Sequence, residues 1–395
     1  MPRRELYMLI TLAVINFTNI LDFMIMMPLG PQFKRIFDLD PHQWSLLISS
    51  YTFTAFLSGL ASLFFIDKLD RKPFLNVLYI GFIVGTLLCG LANSYEWLLA
   101  ARVFTGMFGG VIGALVLAIV GDVVPPERRG RAMGIVMAGF SGAAALGVPL
   151  GLYLGTIFGW QMPFFGIVAL GLPIYILMHY TIPNVREHLN NSQKNNAWMA
   201  IKDAFQDKNQ LTALVFMVFL LFGQFTLIPF LSPYMVANVG FTEAQLTYIY
   251  LTGGLITIFS SPIIGKLSDK YGKPRVFTYL LILSLIPILW ITHMPAVSVG
   301  VVLIATVMFF MFAGGRMIPG TAIVIATAKP NSRGAFMSIR SAIQHLGSAV
   351  AAYIGGLIMV ELPDGTFENY SVLGYIGVAT SLIALGLIFR IKQLY

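Results

Sequence analysis

The chain has 395 residues, of which 57% are hydrophobic and only 11% are charged. Soluble proteins carry about 25% charged residues, so this composition excludes a soluble multidomain protein. The formal net charge of +8 does not indicate nucleic acid, because in a membrane protein the placement of basic residues sets orientation. Apolar stretches of bilayer length, about 20 residues each, recur along the chain. We therefore predict an all-α polytopic membrane protein.

The first apolar run contains the stretch NILDFMIMMPLGPQ, Asn19 to Gln32, with Asp22 inside it. The run is too long for a cleaved secretory signal and lacks a small-residue cleavage site, so we interpret it as the first membrane span. A carboxylate at the centre of a lipid-embedded helix costs about 2.5–3.5 kcal/mol. Asp22 is therefore the first candidate for a functional residue.

Twelve spans are predicted from the lengths of the apolar segments. They are residues 8–31, 43–66, 74–93, 97–122, 132–157, 161–181, 209–235, 243–264, 276–294, 297–327, 335–360 and 369–390, and they are numbered spans 1 to 12 below. The single cysteine, Cys89, lies in an apolar run and excludes a disulfide framework or a cysteine metal site. We predict no metal and no cofactor.

The basic residues predict the orientation of these spans. With the N-terminus in the cytoplasm, 20 of the 25 Lys and Arg residues fall in cytoplasmic segments, and only Lys34 and Arg35 fall in external loops. This asymmetry follows the positive-inside rule. We expect a multi-pass protein of the cell (inner) membrane with both termini in the cytoplasm.

Two internal repeats predict two halves. The loop LFFIDKLDRKP after span 2 corresponds to GKLSDKYGKPR after span 8, and PERRGRAMG after span 4 corresponds to PNSRGAFMS after span 10, at offsets of 202 and 204 residues. We therefore predict an N-terminal six-helix half over residues 1–183, a cytoplasmic linker over 184–207 and a C-terminal six-helix half over 208–395.

These motifs resemble those of the major facilitator superfamily of secondary transporters. GKLSDKYGK fits the signature loop G-x-L-x-D-[RK]-x-G-[RK] at every specified position, whereas the first copy has Leu63 and Asp70 in place of its two glycines. LLAARVFTGMFGG in span 4 is similar to the family's buried-arginine motif. GVPLGLYLG in span 5 and LDFMIMMPLGP in span 1 resemble the patterns of its drug and sugar efflux members.

The resemblance implies twelve helices in two pseudo-symmetric halves and a cytoplasmic gate that closes while the central cavity faces outward. The gate residues that it implies are Asp67, Arg71 and Asp122 in one half and Asp269, Lys270 and Lys273 in the other. The alternative is that these are solvated charges that only set the topology.

Small residues and a proline predict close helix packing in span 5. Gly147, Gly151 and Gly155 are four apart and share one helix face with Pro149 nearby, and small residues at this spacing let membrane helices approach closely. The partner is either a neighbouring helix or, more specifically, a helix of the other half.

Asp22 and Arg102 are the predicted proton-coupling residues, because intramembrane charges usually face the bundle interior and pair. Burial raises the pKa of a carboxyl group and a nearby arginine lowers it, so the balance can place titration near neutral pH. The alternative is a static ion pair of Asp22 with Arg102 or Arg316. Arg316 is itself a candidate for binding substrate or for pairing with Asp22 across the cavity.

A polar and aromatic set is predicted to line the central cavity. With Arg316 it comprises Asn19, Tyr51, Gln224, Tyr234, Tyr250 and His345. A lone histidine or a tyrosine near a span end also has structural explanations, as a hydrogen-bonded group or as part of the interfacial belt.

The leading functional prediction is a proton-coupled exporter of small molecules that works by alternating access, as a monomer in the bilayer, with no nucleic-acid partner. The alternative is an importer or facilitator of sugars, organic anions or lipids, because the fold fixes neither direction nor cargo. A membrane enzyme is the least favoured class: the chain has no H-E-x-x-H, no G-x-S-x-G and no phosphate loop.

Overall fold

The computed structural model describes residues 2–66, 68–185, 197–329 and 333–392. Within these ranges twelve helices are long and apolar enough to cross a membrane, which confirms the predicted all-α twelve-helix architecture. Their bounds, in the order of spans 1 to 12, are Arg3–Ile25, Pro41–Ser62, Arg71–Gly90, Tyr95–Val123, Arg128–Phe158, Met162–Thr181, Lys208–Ala237, Glu243–Tyr271, Lys273–Thr292, Val299–Ile325, Gly334–Ile358 and Tyr370–Ile388.

Three of the spans are interrupted. Span 5 consists of the helices Pro126–Gly142 and Val148–Phe158 around a π-helical segment at Ala143–Gly147. Span 10 consists of Val299–Phe309 and Met317–Ile325 around a second π-helical segment, Phe310–Gly314. Span 7 consists of Lys208–Phe225 and Ile228–Ala237. Single π turns inside α-helices often occur at functional sites, so spans 5 and 10 draw attention.

Shorter elements connect the spans. A helix at Gly30–Phe37 follows span 1, and strands Val360–Glu361 and Phe367–Glu368 form an antiparallel hairpin between spans 11 and 12. A helix at Ala197–Gln206 lies in the predicted linker, and its Ala204 is buried against side chains of the C-terminal half. Residues 186–196 of the predicted linker lie outside the described ranges.

Local sequence explains where several spans begin. Asp40 accepts a hydrogen bond from the Gln43 amide at 2.7 Å while the Gln43 side chain accepts from the Asp40 amide, a capping box that starts span 2. Thr242 and Gln245 form the same arrangement at the start of span 8. These caps satisfy backbone donors that would otherwise lack partners at the helix start.

Two pairs of spans, 2 with 11 and 5 with 8, make close contacts between the halves. Span 2 packs against span 11 along its length, from Ser45 beside Gly356 to Gly59 beside Ala342. Span 5 meets span 8 where Ala145 lies against Gly254, at a separation so small that a methyl group on Gly254 would overlap Ala145. Close approach of this kind is how membrane helices pack without a hydrophobic driving force between them.

Candidate functional site

Asp22 and Arg102 form an ion pair inside the N-terminal half. Arg102 Nη1 donates to Asp22 Oδ2 at 2.8 Å, and the hydroxyl of Thr86 donates to Asp22 Oδ1 at 3.0 Å. Both charged side chains are 0% exposed. The pair joins spans 1 and 4, and Thr86 adds span 3, so the carboxylate of span 1 is neutralised by its own half.

Span 1 presents a polar stripe toward this pair. Asn16, Asn19 and Asp22 are spaced by three residues, so they lie along one side of the helix, and all three are buried. The Asn19 amide donates to the carbonyl of Gly109 at 3.3 Å, and the Asn16 amide reaches the carbonyl of Val136 at 3.4 Å. Each polar group on the stripe therefore has a partner within the N-terminal half.

Tyr51 of span 2 completes the surroundings of the pair. Arg102 Cζ lies 4.4 Å from the centroid of its ring, within cation–π range, and the Tyr51 hydroxyl is 3.5 Å from Asn19 Nδ2. The ring also stacks on Phe23, with 5.4 Å between centroids, and Phe23 lies 5.9 Å from Phe225 of span 7. The structure thus brings the predicted residues Asn19, Tyr51, Asp22 and Arg102 together, next to the contact between the halves.

The ion pair uses only part of the guanidinium. Arg102 Nε and Nη2 are buried and have no hydrogen-bond partner among the residues that the structure describes. Asp22 is thus held through one nitrogen and not through the two-nitrogen fork that gives arginine–carboxylate pairs their greatest strength. The charges of Asp22 and Arg102 therefore balance, but the hydrogen-bonding capacity of the guanidinium is only partly used.

Arg316 lies elsewhere and is not a partner of Asp22. Arg316 Nη1 donates to Ser284 Oγ of span 9 at 3.0 Å and to Ser381 Oγ of span 12 at 2.8 Å, and the residue is 0% exposed. The alternative of an Asp22–Arg316 pair is therefore wrong for this conformation, because Asp22 is satisfied within its own half and Arg316 within the other.

The remaining residues predicted for the cavity divide into two groups. Gln224 and His345 are half-buried, and within the described ranges their side chains have no hydrogen-bond partner. Tyr234 donates to the carbonyl of Met294 at 3.1 Å, and the hydroxyls of Tyr250 and Ser232 are 2.7 Å apart, so both tyrosines are engaged inside the C-terminal half.

Of the residues predicted for the cytoplasmic gate, two form an ion pair within the N-terminal half. Arg71 Nε donates to Asp122 Oδ2 at 2.9 Å, joining spans 3 and 4. Asp67 lies outside the described residues. Asp269 and Lys270 are exposed, Lys273 is half-buried, and none of the three has an ion pair among residues that the structure describes.

The glycine face of span 5 packs against span 1 of the same half. Methyl groups on Gly147, Gly151 and Gly155 would meet Leu21, Ile25 and Leu29, respectively, and the latter two would also approach Pro163 of span 6. Pro149 is buried in the helix that follows the π-helical segment. The close contact with the other half is made instead by Ala145, inside that segment.

Two ion pairs join the halves at the predicted external end, and they were not predicted from the sequence. Lys34 Nζ lies 2.6 Å from Glu361 Oε1, and Arg35 pairs with Glu243. Both basic residues follow span 1, and both glutamates belong to the C-terminal half. The indole of Trp44 also donates to the carbonyl of Pro229 at 2.8 Å across the same boundary. We call these three contacts the external clasp.

At the opposite end, two ion pairs among the described residues each stay within one half. Arg128 pairs with Glu5, and Lys329 pairs with Asp207. The external clasp therefore has no ionic counterpart there within the described part of the chain, and the conformation is one in which the predicted external end is closed. Within the same ranges, no three His, Cys, Asp or Glu side chains lie together in a way that could hold a metal ion.

The fold and the paired intramembrane charges define a polytopic transporter of the alternating-access type. The sequence profile of the Major Facilitator Superfamily matches residues 12–227 and again residues 213–393. The chain belongs to this family, whose members are membrane transporters and not enzymes.

Relatives and solved structures agree with this assignment. The chain is 24% identical to the uncharacterized MFS-type transporter YbcL of Bacillus subtilis (strain 168) over 87% of this chain and 86% of the relative. It is 27% identical to YceJ, an uncharacterized MFS-type transporter of the same organism, over 85% of each chain.

Two crystal structures share the fold. One is a bacterial homolog of the human lysosomal transporter Spinster in an inward-facing and occupied conformation, with a TM-score of 0.73, 19% identity and coverage of 99% and 98% of the two chains. The other is a D-xylose–proton symporter, with a TM-score of 0.76, 15% identity and 96% coverage of each chain. At these identities the likeness establishes the fold alone.

Proposed function

We propose that this transporter exports small molecules in exchange for protons and that Asp22 is the proton carrier. The observation that supports this most is the buried Asp22–Arg102 pair, joined through a single guanidinium nitrogen. Among the residues that the structure describes, Asp22 is the only carboxylate that is buried. Asp22 is thus the candidate at a depth where a proton would have to be carried.

Protonation of Asp22 would change which conformation is stable. A neutral Asp22 leaves the Arg102 charge uncompensated, and a buried charge without a partner costs several kcal/mol. The protonated protein therefore favours a conformation in which Arg102 meets water, and the closed external clasp corresponds to the deprotonated carrier. Because Asp22 has no exposed surface here, proton exchange takes place in another conformation.

The energy source is sufficient for export. One proton charge that crosses 100 mV supplies about 2.3 kcal/mol. Outward direction is favoured by the efflux-like patterns in spans 1 and 5. We place the protein in the inner membrane as a monomer with both termini cytoplasmic, and we assign Asp67, Arg71 and Asp122 with Asp269, Lys270 and Lys273 to the cytoplasmic gate of the outward-facing state.

The full burial of Asp22 favours a second candidate function, transport without protons. If the pair is a static structural element, the protein is an importer or facilitator of sugars, organic anions or lipids that moves its cargo without protons. In that case the charge pair only holds spans 1 and 4 together.

Proteoliposomes with a pH-sensitive dye inside distinguish the two functions. Arabinose, ethidium and benzoate serve as neutral, cationic and anionic probes, and proton movement is recorded when each is added under an imposed pH gradient. We expect at least one probe to drive proton movement in wild type and none to do so in Asp22→Asn. If the Asp22→Asn protein still moves the probe down the concentration gradient of the probe, the variant is folded and able to transport. Equal proton movement in both proteins would refute the carrier assignment.

A further inference from the structure

Arg316 is a buried cation without an anion. Its side chain is 0% exposed, and no carboxylate lies within ion-pair distance among the described residues. Its two partners, Ser284 and Ser381, are neutral. A buried charge in this state costs several kcal/mol unless a counter-ion joins it. Arg102, by contrast, has Asp22.

The two serines are already committed as acceptors for Arg316. The Ser284 hydroxyl donates to the carbonyl of Leu281 at 2.6 Å, and the Ser381 hydroxyl donates to the carbonyl of Gly377 at 2.6 Å. Their oxygens are thereby turned to receive Nη1 of the guanidinium. This orientation fixes one corner of the guanidinium plane in place.

The opposite edge of the guanidinium makes no hydrogen bond to the described residues. Its two nitrogens, Nε and Nη2, are buried and have no partner within this part of the chain. These two nitrogens form one straight edge of the planar fork, the edge that meets two oxygens of a carboxylate or phosphate with parallel hydrogen bonds. Nη1 is thus held by the two serines, and Nε and Nη2 present their N–H groups along one edge. This is the geometry that binds an oxyanion.

The charges inside the C-terminal half favour an anion as the ligand of Arg316. Arg340 of span 11 also has a buried Nε without a partner, and its Nη1 contacts only the neutral Gln344, at 3.3 Å. Away from the helix ends, the described spans of the C-terminal half contain these two guanidinium groups and no carboxylate. The interior of this half therefore carries net positive charge.

We propose that the Nε–Nη2 edge of Arg316 binds a carboxylate or phosphate group of the transported molecule. The assignment rests on the proposed transport of small molecules and specifies their charge; it is independent of proton coupling through Asp22. Entry requires a rearrangement, since Arg316 has no exposed surface in this conformation. The π-helical segment Phe310–Gly314 and Gly315 directly precede Arg316 and provide an irregular stretch of span 10 where such a rearrangement is least costly.

Thermal unfolding of the purified full-length protein tests the site. The probes are benzoate, lactate, glycerol 3-phosphate and inorganic phosphate, with chloride and arabinose at matched ionic strength and concentration. A ligand that binds only the folded state raises the unfolding temperature as its concentration rises past its dissociation constant. We expect a saturable increase with at least one carboxylate or phosphate for wild type and for the control Lys266→Met, in which the lysine that is removed is exposed.

The Arg316 variants decide the outcome. Arg316→Met removes the charge and should abolish the response, and Arg316→Lys keeps the charge without the two-nitrogen edge and should weaken binding about tenfold, a loss of about 1.4 kcal/mol. The lysine variant suffices if the methionine variant does not fold. Equal responses in wild type and Arg316→Lys, an equal response to chloride, or no response to any oxyanion would each overturn the proposal.

The same assay separates this proposal from proton coupling. Asp22→Asn should retain the oxyanion response, because Asp22 lies in the other half. If wild type responds to an oxyanion but shows no proton-coupled exchange, the Arg316 site is upheld and the carrier role of Asp22 is rejected. If wild type shows proton-coupled exchange but no oxyanion response, the carrier role is upheld and the Arg316 site is rejected.

Discussion

At the scale of single residues, the two buried arginines have different solutions to the same problem. Arg102 is compensated by Asp22 and by the face of the Tyr51 ring, whereas Arg316 is held by two serine hydroxyls. Both leave Nε and Nη2 without partners among the described residues. A charge pair and a cation held by neutral groups thus lie in opposite halves, and we proposed the first as the proton carrier and the second as the anion site.

Charge balance at the ion pair predicts a non-additive stability effect. Asp22→Asn or Arg102→Gln alone leaves one buried charge uncompensated and should lower the free energy of unfolding by about 3–5 kcal/mol. The double variant, Asp22→Asn with Arg102→Gln, removes both charges and should recover most of that loss. Denaturant or thermal unfolding of the four proteins forms the cycle. A double variant as unstable as the sum of its parts would show that the charges are not coupled.

At the scale of elements, hydropathy predicted the spans but not their interruptions. The predicted span 8 stops at residue 264, yet the helix continues to Tyr271, because the polar signature loop begins as helix. The predicted span 1 runs to residue 31, yet its helix ends at Ile25 and a new one starts at Gly30. Hydropathy indicates which segments lie in the bilayer, but it does not indicate where the helix within a segment begins, ends or is interrupted.

The site was predictable only in part, for a physical reason. The cost of a lone carboxylate required a cationic partner, so the sequence predicted that Asp22 pairs with Arg102 or Arg316, and the structure shows the pair with Arg102. The partners of Arg316 were not predicted, because serines are common and two hydroxyls have no distinctive spacing. The glutamates that pair with Lys34 and Arg35 belong to the other half of the chain, and nothing local to either residue indicates them.

The contact between spans 5 and 8 predicts a position-specific effect of a methyl group. Gly254→Ala should destabilise the protein, because the added carbon overlaps Ala145 backbone at the boundary between the halves. Gly166→Ala is the matched control, since a methyl group there meets no atom within 4 Å. Thermal unfolding in detergent compares the two. Equal behaviour of both variants would indicate that the halves separate freely at this point.

The start of span 7 predicts an acid-sensitive contact. Asp207 accepts from the Asn209 and Gln210 amides, and its hydrogen bond with Lys329 holds the pKa of this carboxyl below its usual value. A lowered pKa contributes stability above the unfolded value of about 3.9, and this contribution is lost as the pH falls through the folded value.

The variant Asp207→Asn keeps the helix cap and loses the ion pair. It should be less stable than wild type at neutral pH, by no more than about 1 kcal/mol because Lys329 is half exposed. The difference should vanish in acid, where Asp207 is neutral. Unfolding temperatures across the acid range measure this, and a pH-independent difference would exclude the ion pair as its cause.

At the scale of the whole molecule, the two halves are joined by charge at one end. The external clasp links the helix Gly30–Phe37 and span 2 to spans 7, 8 and the hairpin before span 12. The Asp269, Lys270 and Lys273 group at the other end has no ion pair among the described residues. Alternating access needs such an exchange of contacts, in which one end opens as the other closes.

Charge reversal in the external clasp predicts a shift toward the outward-open state. Lys34→Glu places like charges beside Glu361 and should favour separation, and Lys34→Glu with Glu361→Lys should restore the pair. A cysteine introduced at Gln224, beside the Phe225 contact between the halves, reports external access to a membrane-impermeant maleimide. The native Cys89 is buried and adds little background. We expect labelling several-fold faster in the single variant only, since a bias of about 1.4 kcal/mol shifts an equilibrium tenfold. Unchanged labelling in Lys34→Glu would show that the external clasp does not stabilise the state that is closed at the external end.

Protonation of Asp22 itself is the central claim, and infrared difference spectroscopy of the protein in lipid measures it without a substrate. Acidification should produce the carbonyl band of a protonated carboxylic acid that is absent from Asp22→Asn. Identical spectra of wild type and Asp22→Asn throughout the pH range in which both remain folded would contradict the account.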